Sequence, residues 1–293
     1  MPRAGILTVV GKPNAGKSTL LNRIVGEKLS IVSDKPQSTR DRIVGIHTTD
    51  DTQTVILDTP GLLNPRYALQ KAMRGAALAA LADADVVLHL VDATEGVPES
   101  LAELAQVEKP TTAPVILAFN KTDRLPKGKR GELQEQYTEA SFLSAATGAG
   151  VDKLLARISG LLPESEFLYP ADDISTQTLR FFVGELIRET ALEQLEDEVP
   201  YSVASEIEEF RESDSPVYIR AVLHVERESQ KRILIGAGGQ RIRSIGQTAR
   251  AKVERLVGAP VYLDLWVKVL PNWRRNAHAL NRFGYKLPEE RAQ

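Results

Sequence analysis

Eight residues near the N-terminus, Gly11-Lys12-Pro13-Asn14-Ala15-Gly16-Lys17-Ser18, have the types and spacing to hold a chain of phosphates. They match the pattern G-x-x-x-x-G-K-[ST]. Gly16 lets the backbone approach an anion closely. With Ala15, Lys17, Ser18 and Thr19 it would present successive N–H groups at a helix N-terminus. Lys17 would reach the β- and γ-phosphate oxygens, and the Ser18 hydroxyl would bind Mg²⁺. Asn14 either shapes the loop or offers its amide oxygen to a monovalent cation, K⁺ being the candidate. The pattern alone does not choose between ATP and GTP.

The base is chosen further along, at Asn120-Lys121-Thr122-Asp123, which follows the apolar run 115–119. A carboxylate only accepts hydrogen bonds and can take two. Guanine offers two adjacent donors, its ring N1–H and its amino group, whereas adenine offers an acceptor at N1. Asp123 therefore selects guanine, with the Lys121 stem over the base and Asn120 bracing the loop. Asp58-Thr59-Pro60-Gly61 ends another apolar run. Asp58 would hold Mg²⁺, and Gly61 would bring its N–H to the γ-phosphate without a side chain in the way. Ser144-Ala145-Ala146 lies where a last loop could reach the guanine oxygen through backbone N–H groups. A threonine that caps Mg²⁺ is expected in the polar stretch 34–42; Thr39 is the choice and Ser38 the rival, and spacing does not separate them. Leu62 follows Gly61 and cannot polarise water, so slow intrinsic hydrolysis is expected.

These motifs need a scaffold that brings strand ends together. Apolar runs at 6–10, 43–48, 54–57, 86–91, 115–119 and 139–143 alternate with helical stretches at 18–25, 68–81, 99–106, 129–136 and 150–161. Such alternation predicts an α/β fold, a doubly wound and mostly parallel sheet, with loops binding ligand at the carboxyl ends of the strands. The prolines and acids at 162–173 mark a boundary: 1–165 is expected as the nucleotide domain, 166–177 as a linker and 178–293 as a second domain. The second domain reads as helix 178–195, strand 201–211, strand 217–226, helix 230–235, helix 241–257 and strand 261–269. Between the helices 230–235 and 241–257 lies Gly236-Ala237-Gly238-Gly239, a G-x-x-G loop followed by Arg241 and Arg243. The α-β-β-α-α-β order with that loop is the α+β arrangement of a KH domain, which clamps the backbone of single-stranded nucleic acid. Ala237 supplies no charge, so phosphate contact would rely on backbone N–H groups and the flanking arginines. Trp266 reads as core. Trp273, beside Arg274 and Arg275, is the candidate for base stacking, with packing as its alternative.

Gly11–Ser18, Pro36-Gln37-Ser38-Thr39-Arg40, Asp58–Gly61, Asn120–Asp123 and the KH-like half together resemble the Era family of ribosome-assembly GTPases over essentially the whole chain. The resemblance implies a P-loop GTPase domain joined to a KH domain, with GTP/GDP and Mg²⁺ as ligands. A resemblance to potassium-stimulated GTPases with the same Asn implies K⁺ stimulation through Asn14; Lys17, Thr39 and Gly61 are the further candidate members of the hydrolytic site. The resemblance to the Era family implies binding to the single-stranded 3′ end of small-subunit ribosomal RNA and to the small ribosomal subunit, with nucleotide state setting access to the RNA face. A monomer is expected, with peripheral association at the inner face of the cell membrane as a further expectation by analogy.

Composition narrows the alternatives. With no cysteine in 293 residues, disulfides, thiol catalysis and thiolate metal sites are absent. The four histidines, His47, His89, His224 and His278, show no ligand spacing. No apolar run approaches the roughly 18 residues of a membrane span, and the N-terminus carries no signal-like pattern, so the chain reads as cytoplasmic. The net charge of −2 hides an asymmetry: 185–214 holds 11 acidic and 2 basic residues, whereas 217–293 holds 15 basic and 6 acidic. That pattern marks a nucleic-acid surface, opposite charges pairing within one domain, or both. Two rival functions remain at this point. One is an RNA-binding assembly factor in which nucleotide is only structural; the other is a nucleotide kinase or ATPase, which Asn120 to Asp123 opposes.

Overall fold

The computed structural model describes residues 1–288, which divide into two compact units. The body of the first is Met1–Arg66 and Gln70–Thr176, and that of the second Gln177–Leu287. In chain order the first unit contains β1 (Arg3–Val10), α1 (Lys17–Val25), β2 (Ile43–Thr48), β3 (Thr52–Asp58), α2 (Ala68–Ala82), β4 (Val86–Asp92), α3 (Leu101–Ala105), β5 (Val115–Asn120), α4 (Lys129–Gln136), β6 (Ser141–Phe142) and α5 (Val151–Leu161). The strands form one sheet in the order β2-β3-β1-β4-β5-β6. All neighbours are parallel except β2 and β3, which are antiparallel. Strands β1, β3 and β4 are almost wholly buried, as expected where helices cover both faces. The expected last strand, 139–143, is reduced to two residues, and the expected helix 99–106 shortens to five capped by Ser100.

The expected linker 166–177 is not a loose tether. It runs along the first unit's outermost strands. The buried Gln53 of β3 accepts from the Leu168 and Tyr169 N–H groups at 2.8 and 2.9 Å and donates to the Tyr169 carbonyl at 2.9 Å. Further on, the Ile46 N–H donates to the Ile174 carbonyl and Ser175 Oγ to the Val44 carbonyl. The boundary therefore falls at its end, between Thr176 and Gln177.

The second unit contains α6 (Leu179–Gln194), α7 (Val199–Ser202), β7 (Ala204–Arg211), β8 (Val217–Val225), α8 (Glu228–Ile235), α9 (Gln240–Val257), β9 (Val261–Val269) and α10 (Ala277–Arg282). Its sheet has the order β7-β8-β9, with β8 antiparallel to β7 and parallel to β9. Val183, Ile187 and Ala191 of α6 and Ile245, Ala249 and Val253 of α9 pack with Val217, Ile219, Ala221, Leu223 and Val225 of β8 in one core. The expected strand 201–211 begins only at Ala204, because Pro200, which lacks an N–H, starts a helical turn over Val199–Ser202. The turn Trp273–Arg275 and helix α10 were not foreseen, although Asn276, whose side chain accepts from the Ala279 N–H at 3.1 Å, is a recognisable cap.

This unforeseen fold-back corrects both tryptophans. Trp273 is fully buried: its Nε1–H donates to the Ser202 carbonyl at 2.8 Å, and Phe283 packs edge-on against it at 5.3 Å. It cannot stack on a base. Trp266, expected in the core, is 55% exposed, because Leu263, Leu265, Val267 and Val269 take the core side of β9 and alternation turns Trp266 outward. Trp273→Ala is accordingly expected to cost about 3–5 kcal/mol, read as a fall in the guanidinium unfolding midpoint. Opposite charges also meet within this unit: Glu206 pairs with Arg282, Glu208 with Lys268, Glu226 with Arg274, and Glu189 and Glu193 with Lys252.

Candidate functional site

The phosphate loop joins β1 to α1, and its residues gather against the ends of β3 and β5. Gly16 has a left-handed φ of +94°, and a Cβ there would lie 2.2 Å from Asn120 Nδ2. Asn120 is buried and works as a brace: its Nδ2 donates to the Ala15 carbonyl at 2.8 Å, and its Oδ1 accepts from the Ala145 N–H at 2.9 Å. One side chain thus ties the phosphate loop to the loop 144–146. Gly61 is equally constrained, since a Cβ would meet the Pro13 nitrogen at 2.8 Å.

Lys17 is buried, and its Nζ donates to the carbonyls of Lys12 at 2.9 Å and Gly11 at 3.3 Å. Burial lowers its pKa from 10.5 to about 8 although Asp58 pulls it upward. Asp58 is fully buried and its pKa is raised by burial, against the pull of Lys17 and of the Ser18, Ser30 and Thr39 hydroxyls. Its Oδ2 accepts from Ser18 Oγ at 2.7 Å and Ser30 Oγ at 2.9 Å, while Oδ1 is buried without a hydrogen-bond partner among the described residues. Ser18 Oγ and Thr39 Oγ1 are 3.0 Å apart. A cluster of oxygen donors around an orphaned carboxylate oxygen suits a hard cation such as Mg²⁺. The structure brings Thr39, which is buried, to Ser18; Ser38 lines the same cleft.

The cleft is lined by Asn14, Gly16, Lys17, Ser18, Thr19 and Thr39, with Gly61 to one side and Lys121, Arg124 and Ala146 among its other walls. Lys121 has a left-handed φ of +62°, and its Nζ pairs with Asp92 Oδ2 at 2.6 Å. Burial pushes the Asp92 carboxyl up, but Lys121 and the Thr94 N–H and hydroxyl outweigh it and hold it below the usual range. Asp123 sits exposed in the turn Thr122–Arg124. In the loop 144–146, the Ser144 N–H is taken by the Ala149 carbonyl and the Ala145 N–H by Asn120, so Ala146 is the member that lines the cleft. Sequence reasoning missed Asp92 and also Arg23, which donates to the Ala145 and Ala146 carbonyls at 3.2 and 2.5 Å.

The pKa of Lys17 makes a testable demand. In the free protein Lys17 loses its proton above about pH 8, whereas phosphate oxygens need the ammonium form. GTP affinity is therefore expected to be flat below about pH 8 and to fall by up to about tenfold per pH unit above it, measured with a fluorescent guanine nucleotide between pH 7 and 9. The stability of the free protein moves oppositely. An unfolded chain holds this proton up to 10.5, so stability rises as the pH climbs from about 8 towards that value.

In the second unit, Ala237–Gly239 forms a single turn between α8 and α9. Gly236, Gly238 and Gly239 have φ of +73°, +57° and +77°. Gly236 is pressed against Arg241, where a Cβ would lie 2.8 Å from Arg241 Cβ, whereas Gly238 and Gly239 open onto empty space. Arg241 and Arg243 are exposed. A groove runs from Gly239 past Ile242, Arg243, Gly246, Gln247 and Arg250 to Tyr262, Leu263 and Leu265 of β9. Gln247, Arg250 and Tyr262 were not singled out in the sequence, where nothing marks Gln247 and Arg250 except their place two or three helical turns beyond the glycine loop.

Comparisons with known proteins agree with this division. Residues 6–121 match the family described as 50S ribosome-binding GTPase, and residues 198–274 match the KH domain. The chain is 42% identical to GTPase Era of Geobacter sp. (strain M21) over 291 residues, which is 97% of this chain and 98% of that protein. Identity to GTPase Era of Pseudomonas aeruginosa (strain PAO1) is 43%, over 97% and 95% of the two chains.

The chain belongs to the Era family of GTPases.

Like its relatives in the Era family it is a GTPase, with a KH domain following the nucleotide domain. Solved structures extend the likeness. A single-substitution variant of Aquifex aeolicus Era bound to GDP·AlF₄⁻ matches with a TM-score of 0.90 at 40% identity, covering 97% of this chain and 100% of that one. Era in complex with MgGDPNP and nucleotides 1506–1542 of 16S ribosomal RNA matches with a TM-score of 0.91 at 40% identity, covering 98% and 100%. Among the described residues, no helix is long and apolar enough to cross a membrane.

Proposed function

We propose that this GTPase is a nucleotide-driven switch that binds the single-stranded 3′ end of small-subunit ribosomal RNA through its KH domain, during maturation of the small ribosomal subunit. The observation that carries the proposal is the near-full-length likeness to an Era chain solved with both MgGDPNP and the 16S segment. The chain's own geometry supports it: a phosphate cleft in one unit, and in the other a glycine loop open to solvent at the head of a groove.

In the proposed site Lys17 and the N–H groups of Gly16 to Thr19 hold the phosphates, and Gly61 approaches the γ-phosphate. Ser18, Thr39 and Asp58 would hold Mg²⁺, which neutralises charge on the β- and γ-phosphate oxygens. Asp123 reads the base beside Lys121, and Ala146 meets the guanine oxygen. Leu62 is 3% exposed and packed with Val10, Ala77 and Leu81, so it has no part in orienting water, which supports slow intrinsic turnover. Asn14 donates its Nδ2 to the Asp34 carbonyl at 2.8 Å, which leaves the amide oxygen as the end available to K⁺. Equal hydrolysis rates in K⁺ and Na⁺ would defeat that role. Cytoplasmic residence as a monomer, with peripheral contact at the inner membrane surface, completes the proposal.

The deciding experiment is GTP hydrolysis in K⁺ buffer with and without a short RNA matching the small-subunit 3′ end. Stimulation is expected; tight RNA binding without stimulation would make the KH domain a tether rather than half of a switch. Gly238→Asp isolates the RNA side. Aspartate tolerates the left-handed backbone better than most residues, and a Cβ at this position meets nothing within 4 Å. The variant is expected to fold, to keep basal GTPase activity and to lose RNA affinity by about tenfold or more through repulsion of phosphate, read by fluorescence anisotropy.

A further inference from the structure

We infer that Ser30, held by Asn22, is a positioning residue that fixes the Asp58 carboxylate for Mg²⁺. The inference rests on the reading of Asp58 as the Mg²⁺ carboxylate. Ser30 is 28 residues away in sequence and 2% exposed, and its Oγ donates to Asp58 Oδ2 at 2.9 Å. Ser18 donates to the same oxygen at 2.7 Å. The other carboxylate oxygen, Oδ1, is buried and has no hydrogen-bond partner among the described residues.

The final torsion of an aspartate is broad, so one donor leaves the carboxylate able to swing. Besides the Thr39 hydroxyl, which also acts on this carboxylate, two donors from separate parts of the chain, one on α1 and one on the turn after it, hold Oδ2 from two directions. That leaves Oδ1 as the oxygen presented to a metal or its water shell. Ser18 serves both sides of this arrangement, because its hydroxyl oxygen is itself a metal ligand in the proposed site. Among the described residues, the Ser30 hydroxyl serves Asp58 alone.

Ser30 is in turn held by a two-ended clamp. Asn22 Oδ1 accepts from the Leu29 and Ser30 N–H groups at 2.9 and 2.8 Å, and Asn22 Nδ2 donates to the Ser30 carbonyl at 2.8 Å. The clamp locks the turn that follows Gly26, whose φ of +83° closes α1. The chain Asn22–Ser30–Asp58 therefore runs from a helix, through a turn, to the end of β3. Groups that orient metal ligands in this way typically contribute about 10–100-fold in metal affinity.

The test is the Mg²⁺ dependence of release of a fluorescent GDP analogue, measured from EDTA to saturating MgCl₂ for the whole protein. Ser30→Ala is expected to raise the Mg²⁺ concentration at half-effect by about tenfold, with release in EDTA essentially unchanged. Ser30→Cys, a weaker donor, is expected to fall between it and the parent, and it carries the test if the alanine variant does not fold. Asn22→Ala should shift the midpoint in the same direction. An unchanged midpoint would overturn the inference, as would release accelerated equally with and without Mg²⁺, which is the mark of a merely structural role. Asp58→Asn separates the two levels. If it abolishes the Mg²⁺ effect while Ser30→Ala leaves the midpoint alone, only the positioning role fails; if it leaves the effect intact, the metal assignment of Asp58 itself fails.

Discussion

Asp123→Asn is expected to convert the base site from guanine to xanthine. The carboxylate of Asp123 presents two acceptors, which match the N1–H and amino donors on one edge of guanine. Asparagine presents one acceptor and one NH₂ donor. Against guanine this sets donor against donor and leaves a polar pair unmatched, a mismatch of the kind that sites built for hydrogen bonding reject by several orders of magnitude. Xanthine keeps N1–H but carries a carbonyl in place of the amino group, so it meets the asparagine edge with one donor and one acceptor. The substitution should leave the scaffold alone, since Asp123 is exposed on a short turn whose backbone is set by the left-handed Lys121 and by Thr122, which donates its N–H and hydroxyl to the Leu143 carbonyl. GTP affinity is expected to fall by about a hundredfold or more, while XTP binds the variant better than GTP does. Competition of each triphosphate against a fluorescent nucleotide measures this. An unaltered preference for GTP would remove Asp123 from the base site and shift the reading of guanine to the loop 144–146.

The candidate nucleotide motifs stand out in the sequence because phosphate, Mg²⁺ and guanine each demand particular residue types, most of them near strand ends. Asp58 and Asn120 end β3 and β5, and Lys17 opens α1. The half-buried alternation of β8 was legible for a similar local reason, as was the positive-φ requirement of the glycine loop. What escaped depends on distant parts of the chain. Trp273 looks like a stacking residue because Arg274 and Arg275 follow it, yet Arg274 reaches back to Glu226, and Phe283 returns to cover the indole. Trp266 could have been placed correctly from alternation alone, since Leu263, Leu265, Val267 and Val269 already fill the core face of its strand. Gln53 carries no signal in a run of threonines and aliphatics, and only the fold shows that its amide fastens 168–169 to the sheet. Ser30 was invisible for the same reason: nothing in the local sequence announces a hydrogen bond to a carboxylate 28 residues away.

Lys17→Met should separate stability from function at the phosphate loop by moving them in opposite directions. The drop in the Lys17 pKa from 10.5 to about 8 means that keeping the cation in its buried position costs about 3 kcal/mol at neutral pH. That figure already includes the attraction of Asp58, so replacing the ammonium by a neutral group of similar length removes a net penalty. The two carbonyls that Lys17 serves are not stranded by its loss, because the Lys12 carbonyl also accepts from the Ala15 N–H and the Gly11 carbonyl from the Leu62 N–H. Without nucleotide, the variant is expected to be as stable as the parent or more so, by up to about 2–3 kcal/mol. With nucleotide the order reverses. The phosphates lose their buried cation and its charge-assisted hydrogen bonds, and affinity for GTP should fall by about a hundredfold or more, which is about 3 kcal/mol. The parent then gains stability from added GTP while the variant does not, since ligand stabilisation scales with the logarithm of concentration over Kd. Thermal unfolding with and without GTP and Mg²⁺ measures both halves at once. A variant that melts lower than the parent in the absence of nucleotide would show that Lys17 is a structural residue of the loop, and its depressed pKa would then lose its meaning as stored cost released on binding.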